Sequence, residues 1–375
     1  MSPGRATRKA SSVPAAPERQ GCTFVVPGDP ATATGGFVYD RRMIAALAAA
    51  GMLAGTIVLP DRFPRADAAT LAAADRRLAA LAPGATVIVD GLAFAPLAAV
   101  LRRHSRLRLL ALIHHPLCDE TGLTAAERAS WFEAEREALT LARHVIVTSV
   151  ATARRLADFG VGEHKVTVVR PGVRSGKSPT RRVVRPDRAK GGRPVRLLCV
   201  GSLVPRKGQD LLVRALAPLR WLNWHLTLVG PHRDRAYARR LCRLVRSLGL
   251  RRRIRIAGTV SDRILDALYR SADLFVLPSH HEGYGMAPAE AVAYGVPVVT
   301  TRAGAIAEAV PAAAARFVPT GNVPALSATL QRLIGNRAER LALQRAAAAS
   351  AGMQPDWAGA EAAFVAAVGT IIGAP

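Results

Sequence analysis

Twice along this chain a series of short apolar runs alternates with longer helix-like segments, and once, between Pro171 and Arg193, the alternation stops. The first series is Thr23–Val26, Thr56–Leu59, Thr86–Val89, Arg108–Ile113, His144–Val147 and Lys165–Val169. The second is Val195–Val200, Trp224–Val229, Arg253–Ala257, Leu274–Leu277, Pro297–Thr300 and Ala315–Val318. Strand followed by helix, repeated, argues for a parallel sheet covered by helices. The runs are apolar almost throughout, as suits strands buried on both faces, while segments such as Thr124–Leu141 carry charges at spacings that fit an outer helical face. The expected fold class is α/β with two Rossmann-like domains. Length agrees, because 375 residues exceeds the size at which one hydrophobic core keeps growing.

The same reading divides the chain. Residues 1–20, with Arg5, Arg8, Lys9 and Arg19 among prolines and small residues, are expected to be a disordered leader without the apolar stretch of a signal peptide. An N-terminal domain is expected over 21–173, a basic proline- and glycine-bearing linker over 174–193, and a second domain over 194–353. The last segment, 354–375, has apolar residues at helical spacing around Trp357 and Phe364 and is expected to be a helix packing back toward the N-terminal domain. No apolar run approaches the roughly 20 residues of a membrane span. Cys22, Cys118, Cys199 and Cys242 are scattered and form no C-x-x-C pair, which argues against a zinc site or disulfide framework and fits a reducing cytoplasm.

The formal net charge of +25 invites a nucleic-acid reading, because polyphosphate backbones reward clustered cations. Only five of the 52 basic residues are lysine, as codon bias in a GC-rich genome would produce, and the arginines are spread over many segments. Aromatic residues make up only 5%, so the stacking platforms of nucleic-acid binders are lacking. A field of this sign still attracts anionic ligands and anionic lipid surfaces, which is compatible with peripheral association with the inner face of a membrane.

Ligands of open α/β sheets bind outside the carboxyl ends of the strands. The run Leu274–Leu277 ends in the loop Pro278–Gly285, which carries His280, His281, Glu282, Gly283 and Tyr284 before a helix beginning near Gly285 or Met286. Glycines there permit close backbone approach, and a helix N-terminus favours a phosphate. Glu290, about one turn into that helix, can accept two hydrogen bonds from a vicinal diol such as a ribose, with Glu282 nearer the other end of a ligand. After Val195–Val200, the loop Gly201–Pro205 leads into Arg206 and Lys207, cations placed to neutralise a diphosphate. Arg108–Ile113 ends in His114, His115 and Pro116, and Gly35 and Gly36 follow the first strand. Gly230 and Gly258 close two strands of the second series and could be ordinary strand-to-helix turns.

In the pair Glu282 and Glu290, and in the segments GSLVPRKGQDLLVRAL, HLTLVG, RIRIAGTVSD and YRSADLFVLPS in that order, the chain resembles the retaining glycosyltransferases of family four, with their E-x7-E motif, from about residue 22 onward. The resemblance implies a GT-B fold, two Rossmann-like domains facing each other across a cleft. It implies transfer of a hexose-type sugar from a nucleoside-diphosphate sugar to an acceptor hydroxyl, with UDP and GDP both open. The setting it suggests is bacterial cell-envelope polysaccharide or glycolipid synthesis, with a glycan or lipid-linked acceptor. It places Glu290 on the nucleotide ribose, Glu282 on the donor sugar and His114 on a sugar hydroxyl or phosphate. It places Lys207, with Arg206 as a substitute for the arginine that many members carry where this chain has Ser202, on the diphosphate. Gly283, Tyr284, Gly285 and Met286 lie along the donor, Gly258 and Gly230 by the base, and Gly35 and Gly36 approach from the first domain. No D-x-D motif occurs, so metal-independent transfer with no cofactor beyond the donor is expected. The competing readings are a sugar-nucleotide epimerase or phosphorylase of the same fold and, from another class, a basic nucleic-acid-binding protein.

Overall fold

The computed structural model describes residues 21–174 and 193–373, so the expected leader and nearly all of the expected linker lie outside the described residues. The first sheet contains β1 (Cys22–Pro27), β2 (Leu53–Leu59), β3 (Thr86–Asp90), β4 (Arg108–Ile113), β5 (His144–Val147) and β6 (Val166–Val168). The second contains β7 (Val195–Val200), β8 (Trp224–Val229), β9 (Ile254–Gly258), β10 (Leu274–Leu277), β11 (Val298–Thr301) and β12 (Ala315–Val318). Every recorded pairing is parallel, in the orders β2-β1-β3-β4-β5-β6 and β12-β11-β10-β7-β8-β9. In each sheet the chain first builds outward from the opening strand and then returns to its other side. That reversal creates a crevice at the carboxyl ends of β1 and β3 in one sheet, and of β7 and β10 in the other.

The expected strand bounds shift where local chemistry intervenes. Arg253 stands before β9 because its guanidinium donates to the carbonyls of Leu222 and Arg220, both at 2.7 Å, tying the turn to its neighbour. Pro297 has no N–H to offer a ladder, and β11 begins at Val298. Lys165 falls in a 3-10 turn, Glu163–Lys165, that precedes β6. The helix Ala125–Leu139 starts one residue after the expected point because Thr124 and Glu127 form a reciprocal capping box.

The first sheet carries a hydrophobic cluster on each face, and the second domain has a larger one of its own. On one face of the first sheet the cluster is completed by the chain's last helix, Trp357–Gly373, which lays Trp357, Phe364 and Val368 against Tyr39, Met43 and Leu47 of the helix Gly35–Ala49. The Tyr39 hydroxyl, buried there, donates to the Val169 carbonyl at 3.0 Å. Close to it, near the end of the first domain's described residues and just before the last helix, Val173 N–H donates to the Pro355 carbonyl at 2.9 Å. Among the described residues no helix is long and apolar enough to cross a membrane.

Candidate functional site

The two crevices face each other. The loop after β10 is held from below: Thr300 and Thr301 of β11 donate to the carbonyls of Leu277 and Ser279 at 2.7 and 2.6 Å, and Ala305 N–H donates to the Glu282 carbonyl. Gly283 meets the other domain, since a Cβ there would lie 2.2 Å from the His114 carbonyl oxygen, so only glycine lets the two loops touch. Gly285, at φ 98°, turns the chain into the helix Met286–Ala293, a left-handed conformation that costs glycine little.

Within this loop Glu282 is 6% exposed and fully engaged. Lys207 Nζ donates to its two oxygens at 2.6 and 2.7 Å, Ser279 Oγ donates to Oε1 at 2.6 Å, and Arg206 stands 3.7 Å away. Burial alone would raise its carboxyl, but Lys207, Arg206 and Ser279 outweigh burial and hold it at about 2. The Lys207 ammonium is lowered, with burial as the main cause.

Arg206 departs from the expected role of an open second cation. Its Nη1 donates to the His281 carbonyl at 2.7 Å and its Nε pairs at 3.1 Å with Glu120, which belongs to the first domain's loop after β4. A phosphate reaching Arg206 therefore competes with Glu120, whose carboxyl is held near 2 by His115 and Arg206 in spite of burial. The rings of His115 and His281 lie 5.5 Å apart beside this bridge, and burial lowers both, His281 to about 4.

Glu290, on the helix Met286–Ala293, is partly buried. The Tyr269 hydroxyl donates to the Ala287 carbonyl at 3.2 Å on the same helix, and burial raises the Glu290 carboxyl in spite of the Arg174 charge. Tyr284 corrects an expectation: at 5% exposure its ring belongs to the second domain's core, leaving at most its backbone for a ligand. Met286 faces the first domain, its sulfur 3.3 Å from where a Gly35 Cβ would stand. Gly36 lies against the His114 ring, 3.4 Å from the position of its own Cβ. Gly230 N–H donates to the Gly258 carbonyl at 2.9 Å, tying together the carboxyl ends of β8 and β9 on the same rim.

His114 has partners that its sequence neighbourhood hides. Its Nε2 lies 3.0 Å from Asp40 Oδ1 and 3.2 Å from Asp90 Oδ2, carboxylates 74 and 24 positions away in the chain. One potential ligand atom from each of the three lies within 4.8 Å of the others. Both aspartates were legible in principle. Asp90 ends an apolar strand at its carboxyl edge, and Asp40 shares the inward face of its helix with Met43 and Leu47. Two other contributors had no comparable signal. Glu135 receives the backbone N–H groups of Leu117 and Cys118 at 2.6 and 3.0 Å, holding the loop after β4. Glu308 of the second domain receives those of Val150 and Ala151 at 2.9 and 2.5 Å, capping a helix of the first.

The model for "Glycosyl transferases group 1" matches residues 181–350, and that for "Glycosyltransferase Family 4" matches residues 38–176. Among curated proteins, the D-inositol 3-phosphate glycosyltransferase of Kineococcus radiotolerans is 35% identical over 198 residues, 50% of this chain and 46% of that one. The mannosylfructose-phosphate synthase of Agrobacterium fabrum is 32% identical over 178 residues, 44% and 39%. The chain thus spans about half the length of the curated relatives it matches. Among solved structures, a sucrose-phosphate synthase from Thermosynechococcus elongatus superposes with a TM-score of 0.74 at 22% identity, covering 94% of this chain and 98% of that one. Anabaena HepE in complex with UDP and glucose gives 0.72 at 17%, covering 94% and 100%. The fold is that of these proteins: two parallel-sheet domains about a cleft, the GT-B arrangement.

Proposed function

The chain belongs to the glycosyltransferases of the group 1 and family 4 type, and from that premise we propose that it moves a hexose-type sugar from a nucleoside-diphosphate sugar to an acceptor hydroxyl, retaining anomeric configuration without a metal. The observation that carries the reading is the buried Lys207–Glu282 pair at the crevice of one sheet, facing His114 at the other, with Glu290 eight positions further along the same loop and helix. In the catalytic arrangement we infer, Glu290 accepts the two ribose hydroxyls and the first turn of the helix Met286–Ala293 meets the diphosphate. Lys207 divides its donors between Glu282 and the leaving phosphate. Charge that develops on the leaving group is then met by a cation already in place, which lowers the barrier more than it tightens the ground state. Glu282 and His114 orient the sugar, and no protein nucleophile is assigned. HepE's binding of UDP and glucose supports a nucleotide-sugar donor. An acceptor in cell-envelope glycan or glycolipid synthesis, reached by a cytoplasmic protein at a membrane face, extends the same reading.

Product analysis tests the mechanism. With the matched α-configured donor, NMR of the product formed in excess EDTA should show an α-glycoside made at an undiminished rate. A β-linked product, or activity abolished by EDTA and restored by Mn²⁺ or Mg²⁺, would contradict it.

A further inference from the structure

His114 Nε2 is shared by two carboxylates buried to 1% (Asp40) and 3% (Asp90) exposure. Two ionised carboxylates and one imidazolium would bury a net negative charge, and Asp40 Oδ2 in particular is sealed from water with no hydrogen-bond partner. Asp90 is the better seat for that charge, because its other oxygen accepts the Leu92 N–H at 2.8 Å, at the start of a short helix. A proton on Asp40, beside Asp90, leaves imidazolium, carboxylate and carboxylic acid, with no net charge. No partner is seen for His114 Nδ1 among the described residues, and its ring is steadied edge-on by Tyr39 at 5.5 Å.

We propose that Asp90, ionised, and Asp40, protonated, are positioning residues that keep His114 a cation with Nε2 turned inward, so that Nδ1–H is the one ring donor left for a substrate oxygen. The inference rests on the reading of the cleft as the transfer site. Burial opposes the imidazolium, and with Asp40 neutral what stands against burial is the Asp90 charge together with the hydrogen bonds between the ring and both aspartates. Burial and Asp90 in turn push Asp40 above the usual carboxylate range. The two aspartates therefore differ in what an amide does to them. Asp40→Asn replaces a neutral acid with a neutral amide. Asp90→Asn keeps the Leu92 acceptor but removes the charge that holds the imidazolium.

Two measurements on the full chain decide it. Imidazole ¹⁵N spectra, with His114→Gln for assignment, should show His114 protonated on both nitrogens at pH 8 in the wild type, and titrating near about 6.5 in Asp90→Asn. In steady state, kcat should fall about 30-fold in Asp90→Asn with the donor KM within about threefold, and should fall less in Asp40→Asn. A neutral wild-type His114 at pH 7, Asp40→Asn as damaging as Asp90→Asn, or imidazole resonances moved by added Zn²⁺ or Mn²⁺ would each overturn the assignment. The spectra need no substrate, so they decide the charge arrangement even if no donor is turned over, the outcome that would instead sink the functional reading.

Discussion

Replacing Glu290 with alanine is expected to lower kcat/KM for the matched donor by about three orders of magnitude while leaving the fold intact. Two hydrogen bonds from a ribose diol to a carboxylate, at about 2 kcal/mol each, amount to about 4 kcal/mol, which is close to a thousandfold. The loss should appear with the intact nucleotide sugar and also as weaker binding of the free nucleoside diphosphate. Stability should hold or rise, for a physical reason: burial raises the Glu290 carboxyl, so keeping it ionised in the folded chain is a cost at neutral pH that alanine removes. Steady-state kinetics and calorimetric melting on the same sample check both halves. Turnover near wild type would remove Glu290 from the ribose.

Lys207→Met should damage both folding and catalysis, because Lys207 and Glu282 form one buried unit. Removing the cation leaves the Glu282 carboxylate with Ser279 and a more distant Arg206, and breaking such a pair costs about 3–5 kcal/mol. The pH dependence carries the sign. Glu282 is held at about 2 against an ordinary 4.5, so its stabilisation is complete above about pH 4.5 and lost as pH falls through 2. In Lys207→Met that acid limb should move upward. The double change Lys207→Met with Glu282→Leu should recover most of the stability and none of the activity, since apolar replacement of a whole buried pair is tolerated while the chemistry needs both charges. Urea unfolding from pH 2 to 7, beside an activity assay, separates the two. Full activity in the stable double variant would show the pair to be structural only.

The sheets were legible because parallel strands buried on both faces are apolar almost throughout. Each of the twelve expected runs overlaps a strand; the one-residue late starts of three strands trace to Arg253, Pro297 and Lys165, while β2 begins at Leu53, three residues before the expected Thr56. The loops bearing Glu282, Lys207 and His114 were legible for a related reason, since ligands gather at the carboxyl ends of such strands. What escaped depends on distance in sequence. Asp40 lies on the helix Gly35–Ala49, Asp90 ends β3 and His114 follows β4, and nothing in the local text around His114 announces carboxylates that arrive by β-pairing and helix packing. Tyr284 reads like its loop neighbours, yet the turn at Gly285 aims its ring into the core. Arg206 beside Lys207 looks like a second free cation until Glu120 of the other domain claims it.

The most direct measurement of donor use is a melting panel of UDP-, GDP- and ADP-sugars, followed by assay of nucleoside diphosphate release. One combination of base and sugar should stabilise the chain selectively, by about 5 °C at a hundredfold excess over Kd, and only that compound should release its diphosphate when acceptor is supplied. If no nucleotide sugar shifts the melting temperature or is consumed, while duplex or single-stranded nucleic acid binds at moderate salt, the account of this cleft as a glycosyl-transfer site is wrong.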